Sequence, residues 1–270
     1  MPSSWSLTEH LLSISPDGYK AATQSPFLLA AAEGRLPKDI LGQWLANDRL
    51  YIHAYIKASG HMLASLNLPQ HVPDVEAPET QLVDWFTEAL VAVRREERLF
   101  IDVASRYGLR VDLEASEAAR GLAEPSSVSS EEKILGLVLM EELFASTGPS
   151  DVGTSSALTL PWLEGAVTFW GTERCYLDAW SWAKSRQVLG AGSQAREDAD
   201  GGALRKEFIP NWSSSEFARF VGKLGSIIDL AVSDAMGSLG EQIKDELLER
   251  VEGKWKSLLA AEAAFWPAIE

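Results

Sequence analysis

Cysteine is almost missing from this sequence: Cys175 stands alone, so no disulfide can form within the chain. A lone cysteine fits a reducing compartment, and the cytoplasm is the expected location. Histidine is scarce too, and its four copies, His10, His53, His61 and His71, all lie in the first third of the chain. None forms a His-x-x-x-His or Glu-x-x-His pair, the spacings that turn two ligands toward one helix face. A metal site is therefore not expected. Long apolar runs are absent, so no segment reaches the roughly 18 residues needed to span a bilayer. The opening stretch MPSSWSLTEHLLSIS has no basic region before a long apolar one, which predicts no secretory leader. Glycine-rich phosphate loops, a Gly-x-Gly-x-x-Gly fingerprint and a Gly-x-Ser-x-Gly elbow are also missing.

Positive charge is in deficit. Lysine and arginine number 24 against 39 acidic residues, a net charge of −15 that repels phosphate backbones and anionic lipid. Neither nucleic acid nor a membrane surface is an expected partner. What the chain does have is tryptophan, ten in 270 residues, enough bulk to fill a core, an interface or a ligand pocket.

The apolar periodicity is helical nearly throughout. From Pro37 to about Leu68 the residues Ile40, Leu41, Trp44, Leu45, Tyr51, Ile52, Tyr55 and Ile56 recur at spacings of three and four. Gly34 is placed to close the helix before it, and Pro37 to sit in the first turn. A second helix is expected from about Thr80 to Tyr107, ended by Gly108. Ser129-x-x-Glu132, Ser213-x-x-Glu216 and Ser238-x-x-Glu241 read as capping boxes that open three more. Pro161 to Arg186 reads as a helix apolar on most faces, hence central. Loops are expected at 68–79, 148–156 and 190–202. No strand, repeat or composition break stands out, so residues 1–270 are expected to form one all-α domain of seven to nine helices.

One segment carries more than fold. In SPFLLAAAEGRLPKDILGQWLANDRLYIHAY, residues 25–55, Asp48 and Tyr51 lie one turn apart, and Tyr55 continues the same face. A carboxylate in the middle of an apolar helix is costly unless it is paired or holds a ligand. Asp48 is thus either a structural partner of an arginine or a neighbouring element, or a pocket residue. At the other end of the chain Glu262 and Phe265 are also one turn apart, in Glu-Ala-Ala-Phe-Trp.

Together these segments resemble the TenA/thiaminase II family, a branch of the heme-oxygenase-like helical fold. The matching elements are Pro26-Phe27, Gly34-Arg35-Leu36-Pro37, Asp48-Arg49-Leu50-Tyr51 and the terminal Glu262-x-x-Phe265-Trp266. Phe208-Ile209-Pro-Asn-Trp212 resembles the stretch leading into that family's penultimate helix. The likeness covers about residues 20–65, 160–187, 204–235 and 255–268. It implies an aminopyrimidine held between aromatic rings, with Asp48 anchoring the ring and Tyr51, Tyr55, Tyr176 and Phe265 lining the pocket. It further implies that Glu262 moves protons. The thiaminase II branch attacks with a cysteine, but aligning on Tyr176 puts Thr172 there, with Cys175 turned about 300° around the helix. Glu173, one step from that position, is the candidate to supply the missing chemistry. Tyrosines expected near Leu139 and Arg205 are absent as well.

Two functions follow from the resemblance. One is a thiamin-salvage hydrolase cleaving a C–N bond by carboxylate acid/base catalysis, without cofactor. The other is a divergent relative that binds a small heteroaromatic molecule without thiaminase activity. A haem enzyme lacks a placed proximal histidine beyond His10, and a quinone-forming oxidation lacks the basic and histidine residues it would use. Such relatives assemble as dimers or tetramers, so a homo-oligomer is expected.

Overall fold

A computed structural model describes residues 5–68, 70–71, 75–113, 133–147, 158–187 and 197–269. Every regular element among them is helical. Three short helices open the chain: α1 (Leu7–Ser13), α2 (Pro16–Thr23) and α3 (Pro26–Ala32). Two long ones follow, α4 (Lys38–Ser65) and α5 (Pro78–Tyr107), then α6 (Leu135–Ala145) and α7 (Leu163–Arg186). A π-helical turn, Leu204–Phe208, runs into α8 (Ile209–Trp212), and α9 (Ser215–Leu239) and α10 (Gln242–Ala264) complete the bundle.

The helix α7 is the axis. It packs against α2, α3, α6, α8, α9 and α10, and it buries residues on every face. That is why its sequence reads as apolar nearly all round. On one side α4 packs on α5 and α6, and α5 packs on α9. The buried side chains of all these helices join in one continuous core. Two close approaches depend on glycine. A Cβ on Gly171 would stand 2.7 Å from Leu258 Cδ1 and 3.0 Å from Trp255 Cζ3, so with one the side chains of α10 would have to shift where α7 lies on them. A Cβ on Gly136 would meet the Phe265 backbone at 2.4 Å, so the start of α6 presses on the end of α10.

The helix ends follow the sequence in part. Gly34 (φ 68°) and Gly108 (φ 66°) are left-handed, and Arg35 and Leu109 N–H groups donate back to the Ala30 and Ala104 carbonyls. Pro37 sits at the N-cap of α4, just ahead of the first turn. The cap of α9 is Ser214 instead of Ser213: its hydroxyl accepts from Phe217 N–H at 3.2 Å. The Ser213 hydroxyl instead donates back to the Ile209 carbonyl at 2.6 Å, closing α8. Ser238 opens nothing. It lies within the last turn of α9, which runs on to Leu239, and α10 starts from Glu241 without a side-chain cap. Gly240, at φ 90°, makes the break. Ser129 and Glu132 lie outside the described residues.

Candidate functional site

Between α4, α5, α7, α8 and α9 lies a cavity of about 660 Å³. From α4 come Asp48, Tyr51 and Tyr55, which the three- and four-residue spacing sets on one face. From α7 come Glu173 and Tyr176, again three apart, and from α5 comes Glu96. Trp212, Phe217 and Phe220 supply aromatic wall from α8 and α9. Asp84, Glu88, Arg95 and Glu216 also line it from exposed positions, so the result is an aromatic chamber with three more deeply placed carboxyl groups, Asp48, Glu96 and Glu173.

Each carboxyl group is fixed by one aromatic donor. The Tyr176 hydroxyl donates to Asp48 Oδ2 at 3.1 Å, the Tyr55 hydroxyl to Glu173 Oε1 at 2.7 Å, and the Trp212 indole N–H to Glu96 Oε1 at 2.5 Å. Trp212 is itself clamped. Its ring stacks on Phe208 at 4.7 Å and lies 4.5 Å from Trp180.

Burial dominates the electrostatics, because a charge withdrawn from water disfavours ionisation. It pushes Glu96 up to about 7 against the opposing hydrogen bond from Trp212. It pushes Glu173 up to about 8, opposed by the Tyr55 hydrogen bond and reinforced by the charge of Glu96. Asp48 is raised well above the usual carboxylate range by burial, then by Glu96 and Glu173, with Tyr176 pulling the other way. Such groups titrate together, not one by one.

Glu262 and Phe265 are not among the residues that line this cavity. Both are buried. Phe265 sets its ring edge-on to Tyr51 at 5.9 Å and so backs the wall. Glu262 is raised well above its usual range by burial, then by Asp48 and Glu173, and it raises Tyr51 and Cys175 in turn. It stands close enough to Asp48, Glu173 and Tyr51 for their charges to act on one another. Thr172 is fully buried with its hydroxyl donating to the Phe169 carbonyl at 3.0 Å. Cys175 is also fully buried outside the lining, and burial pushes its thiol up. Arg205, where the resemblance expects a tyrosine, pairs with Asp198 away from the cavity.

Sequence reasoning missed Glu96. It sits in the charge run Arg94-Arg95-Glu96-Glu97-Arg98, which reads as a solvated face. The signal was its place three after Val93 and four before Phe100, both buried, which turns it to the inner stripe. Glu96 is half-buried; the next residue, Glu97, is buried and is paired with Arg94 and with His53 at 2.8 Å. Among the described residues no three His, Cys, Asp or Glu side chains converge closely enough to hold a metal ion, and no helix is long and apolar enough to cross a membrane.

No family model matches the chain. A protein of Fusarium pseudograminearum (strain CS3096), named "Probable transcription factor", is 27% identical over 242 residues, covering 87% of this chain and 47% of that protein. The chain thus spans about half the length of the curated relative it matches. Among solved structures, a TenA homologue from Pyrococcus furiosus superposes with a TM-score of 0.64 at 20% identity, over 96% of this chain and 97% of that one. A TenA family transcription regulator from Silicibacter sp. TM1040 gives 0.60 at 11% identity, over 96% of both chains. At such identities the likeness is one of architecture. This chain has the all-α, heme-oxygenase-like fold of the TenA homologues.

Proposed function

We propose that the cavity binds a small amino-bearing heteroaromatic molecule, such as an aminopyrimidine, and hydrolyses a C–N bond in it. Asp48 holds an amino group or protonated ring nitrogen, and the faces of Tyr51, Tyr176 and Trp212 enclose the ring. The observation that carries this reading is Glu173: a carboxyl group inside an aromatic cavity, held by Tyr55, with a pKa pushed up to about 8. A carboxyl group tuned near neutrality suits general acid–base work. At pH 7 it gives its proton to the departing amine. The carboxylate left behind takes a proton from water as the water oxygen bonds to the carbon. The products are an alcohol and an amine, and Glu173 ends as it began.

The test is incubation of the protein with an aminopyrimidine carrying an aminomethyl group, following ammonia and the hydroxymethyl product. Turnover that Glu173→Gln abolishes supports hydrolysis. Binding without product selects the second reading, a binding protein without thiaminase activity. That reading has an observation of its own. Thr172, at the position where the resemblance puts a nucleophile, has its hydroxyl engaged by a backbone carbonyl. The transcription names of two relatives fit this chain less well, since a net charge of −15 opposes a phosphate backbone.

A further inference from the structure

We infer that Glu96 is a further ligand-binding residue of this cavity, and that the ligand carries a cationic group which meets it. The inference rests on the small-molecule reading above and names the charge its ligand must have.

Three features of the cavity lead there. The hydrogen bonds from described residues use one oxygen of each carboxyl group: Oδ2 of Asp48, Oε1 of Glu173 and Oε1 of Glu96. The second oxygen of each is left for whatever enters. No lysine, arginine or histidine is among the groups that set the ionisation of Asp48, Glu96 or Glu173; burial, aromatic donors and the other carboxylates account for it. Buried acids are ordinarily paired, as Glu97 is with Arg94 and His53 one residue away. Glu96, half-buried and facing the cavity, has no such partner. Arg95 lines the cavity as well, but among the described residues no ion pair joins it to Asp48, Glu96 or Glu173, so a cation that enters meets unpaired carboxyl oxygens.

The spacing says what kind of cation. The carboxylates do not converge on one point as metal ligands do. They stand on three helices around a 660 Å³ chamber walled by tyrosine, tryptophan and phenylalanine. An organic ammonium on an aromatic ring fits that arrangement, since ring faces attract cations while carboxylates take their N–H groups. Trp212, wedged between Phe208 and Trp180, holds Glu96 in place before the ligand arrives.

A matched pair of probes tests this by calorimetric titration: 4-aminopyrimidine bearing 5-aminomethyl, protonated at pH 7.5, and its neutral 5-hydroxymethyl counterpart. Wild-type protein should prefer the ammonium by roughly tenfold or more, the weight of a charge-assisted hydrogen bond. Glu96→Gln keeps an oxygen for the Trp212 N–H, so its fold is retained, and melting confirms that. It should lose most of the preference while binding the hydroxymethyl probe as wild type does. A preference that survives in Glu96→Gln and disappears in Asp48→Asn overturns the assignment. If neither pyrimidine binds, the aminopyrimidine reading fails by itself. Benzylamine against benzyl alcohol then decides Glu96 alone: a preference abolished by Glu96→Gln upholds it, and equal binding or a retained preference overturns it.

Discussion

The Tyr176 hydroxyl donates to Asp48 Oδ2 across 3.1 Å, so a phenol of α7 holds a carboxyl group of α4 at the edge of the cavity. This bond favours the ionised form of Asp48 and works against burial, which favours the neutral one. Tyr176→Phe removes the donor and keeps the ring. Asp48 should then ionise less readily, and an amine-bearing ligand should bind roughly tenfold more weakly, as expected for a lost hydrogen bond to a charged group. Titration of the variant checks this, and unchanged affinity would detach Asp48 from ligand binding.

Stability should fall as pH rises from about 5 to about 8. Glu96 and Glu173 have folded pKa values of about 7 and about 8, above the usual carboxylate value that the unfolded chain keeps. Between those limits the folded state holds more protons than the unfolded state, so raising the pH favours unfolding. The contribution is intact below the unfolded value and gone once both folded groups have ionised. Melting temperature measured from pH 5 to 9 should decline over that window, and Glu96→Gln and Glu173→Gln should each flatten the decline. Glu96→Gln should also melt higher than wild type at pH 8, because it relieves repulsion with Asp48 and Glu173. A melting curve independent of pH would show that these groups do not ionise in the folded protein.

Binding of a cationic ligand should expel protons. A positive charge among raised carboxyl groups lowers their pKa, so part of their proton load passes to the buffer. The heat of binding at pH 6.5 should therefore change with the ionisation enthalpy of the buffer. A heat identical in phosphate and in Tris would contradict a cation in this cavity.

Cys175 should be chemically silent. It is fully buried, its thiol is pushed up by burial, and it lies outside the cavity lining. An aromatic disulfide reagent should leave it untouched in folded protein and react with one thiol per chain after denaturation. Cys175→Ala should keep whatever turnover the wild type has. Complete loss of turnover with an intact fold would mean that the thiol takes part after all.

How much of this was legible in the sequence differs by element. The Asp48–Tyr51–Tyr55 face could be read because three residues on one helix obey a single period, and the structure sets all three in the cavity. Glu173 and Tyr176 could be placed on the central helix for the same reason. Glu262 was read from its own motif. The structure buries it within electrostatic reach of Asp48 and Glu173 though not among the cavity's lining residues, a placement set by the packing of α10 that no local pattern records. Glu96 was hidden in a run of five charged residues, whose composition alone does not show that Glu96 and Arg95 line a cavity and that Glu97 is buried. The caps failed by register: three consecutive serines, Ser213 to Ser215, all suit an N-cap chemically, and only the end of α8 decides among them. Ser238 was lost because α9 runs on through it to Leu239.

The most direct measurement is a calorimetric titration of an aminopyrimidine against wild type and Asp48→Asn, with melting curves alongside. Asparagine keeps the size of Asp48 and can still hydrogen-bond to Tyr176, but it cannot carry the charge that anchors an amino-bearing ring. Wild type should bind, and Asp48→Asn should bind roughly tenfold more weakly or worse while melting no lower. Equal affinity in the two proteins would contradict a ligand held at Asp48, and so would an affinity loss matched by a collapse of the melting temperature.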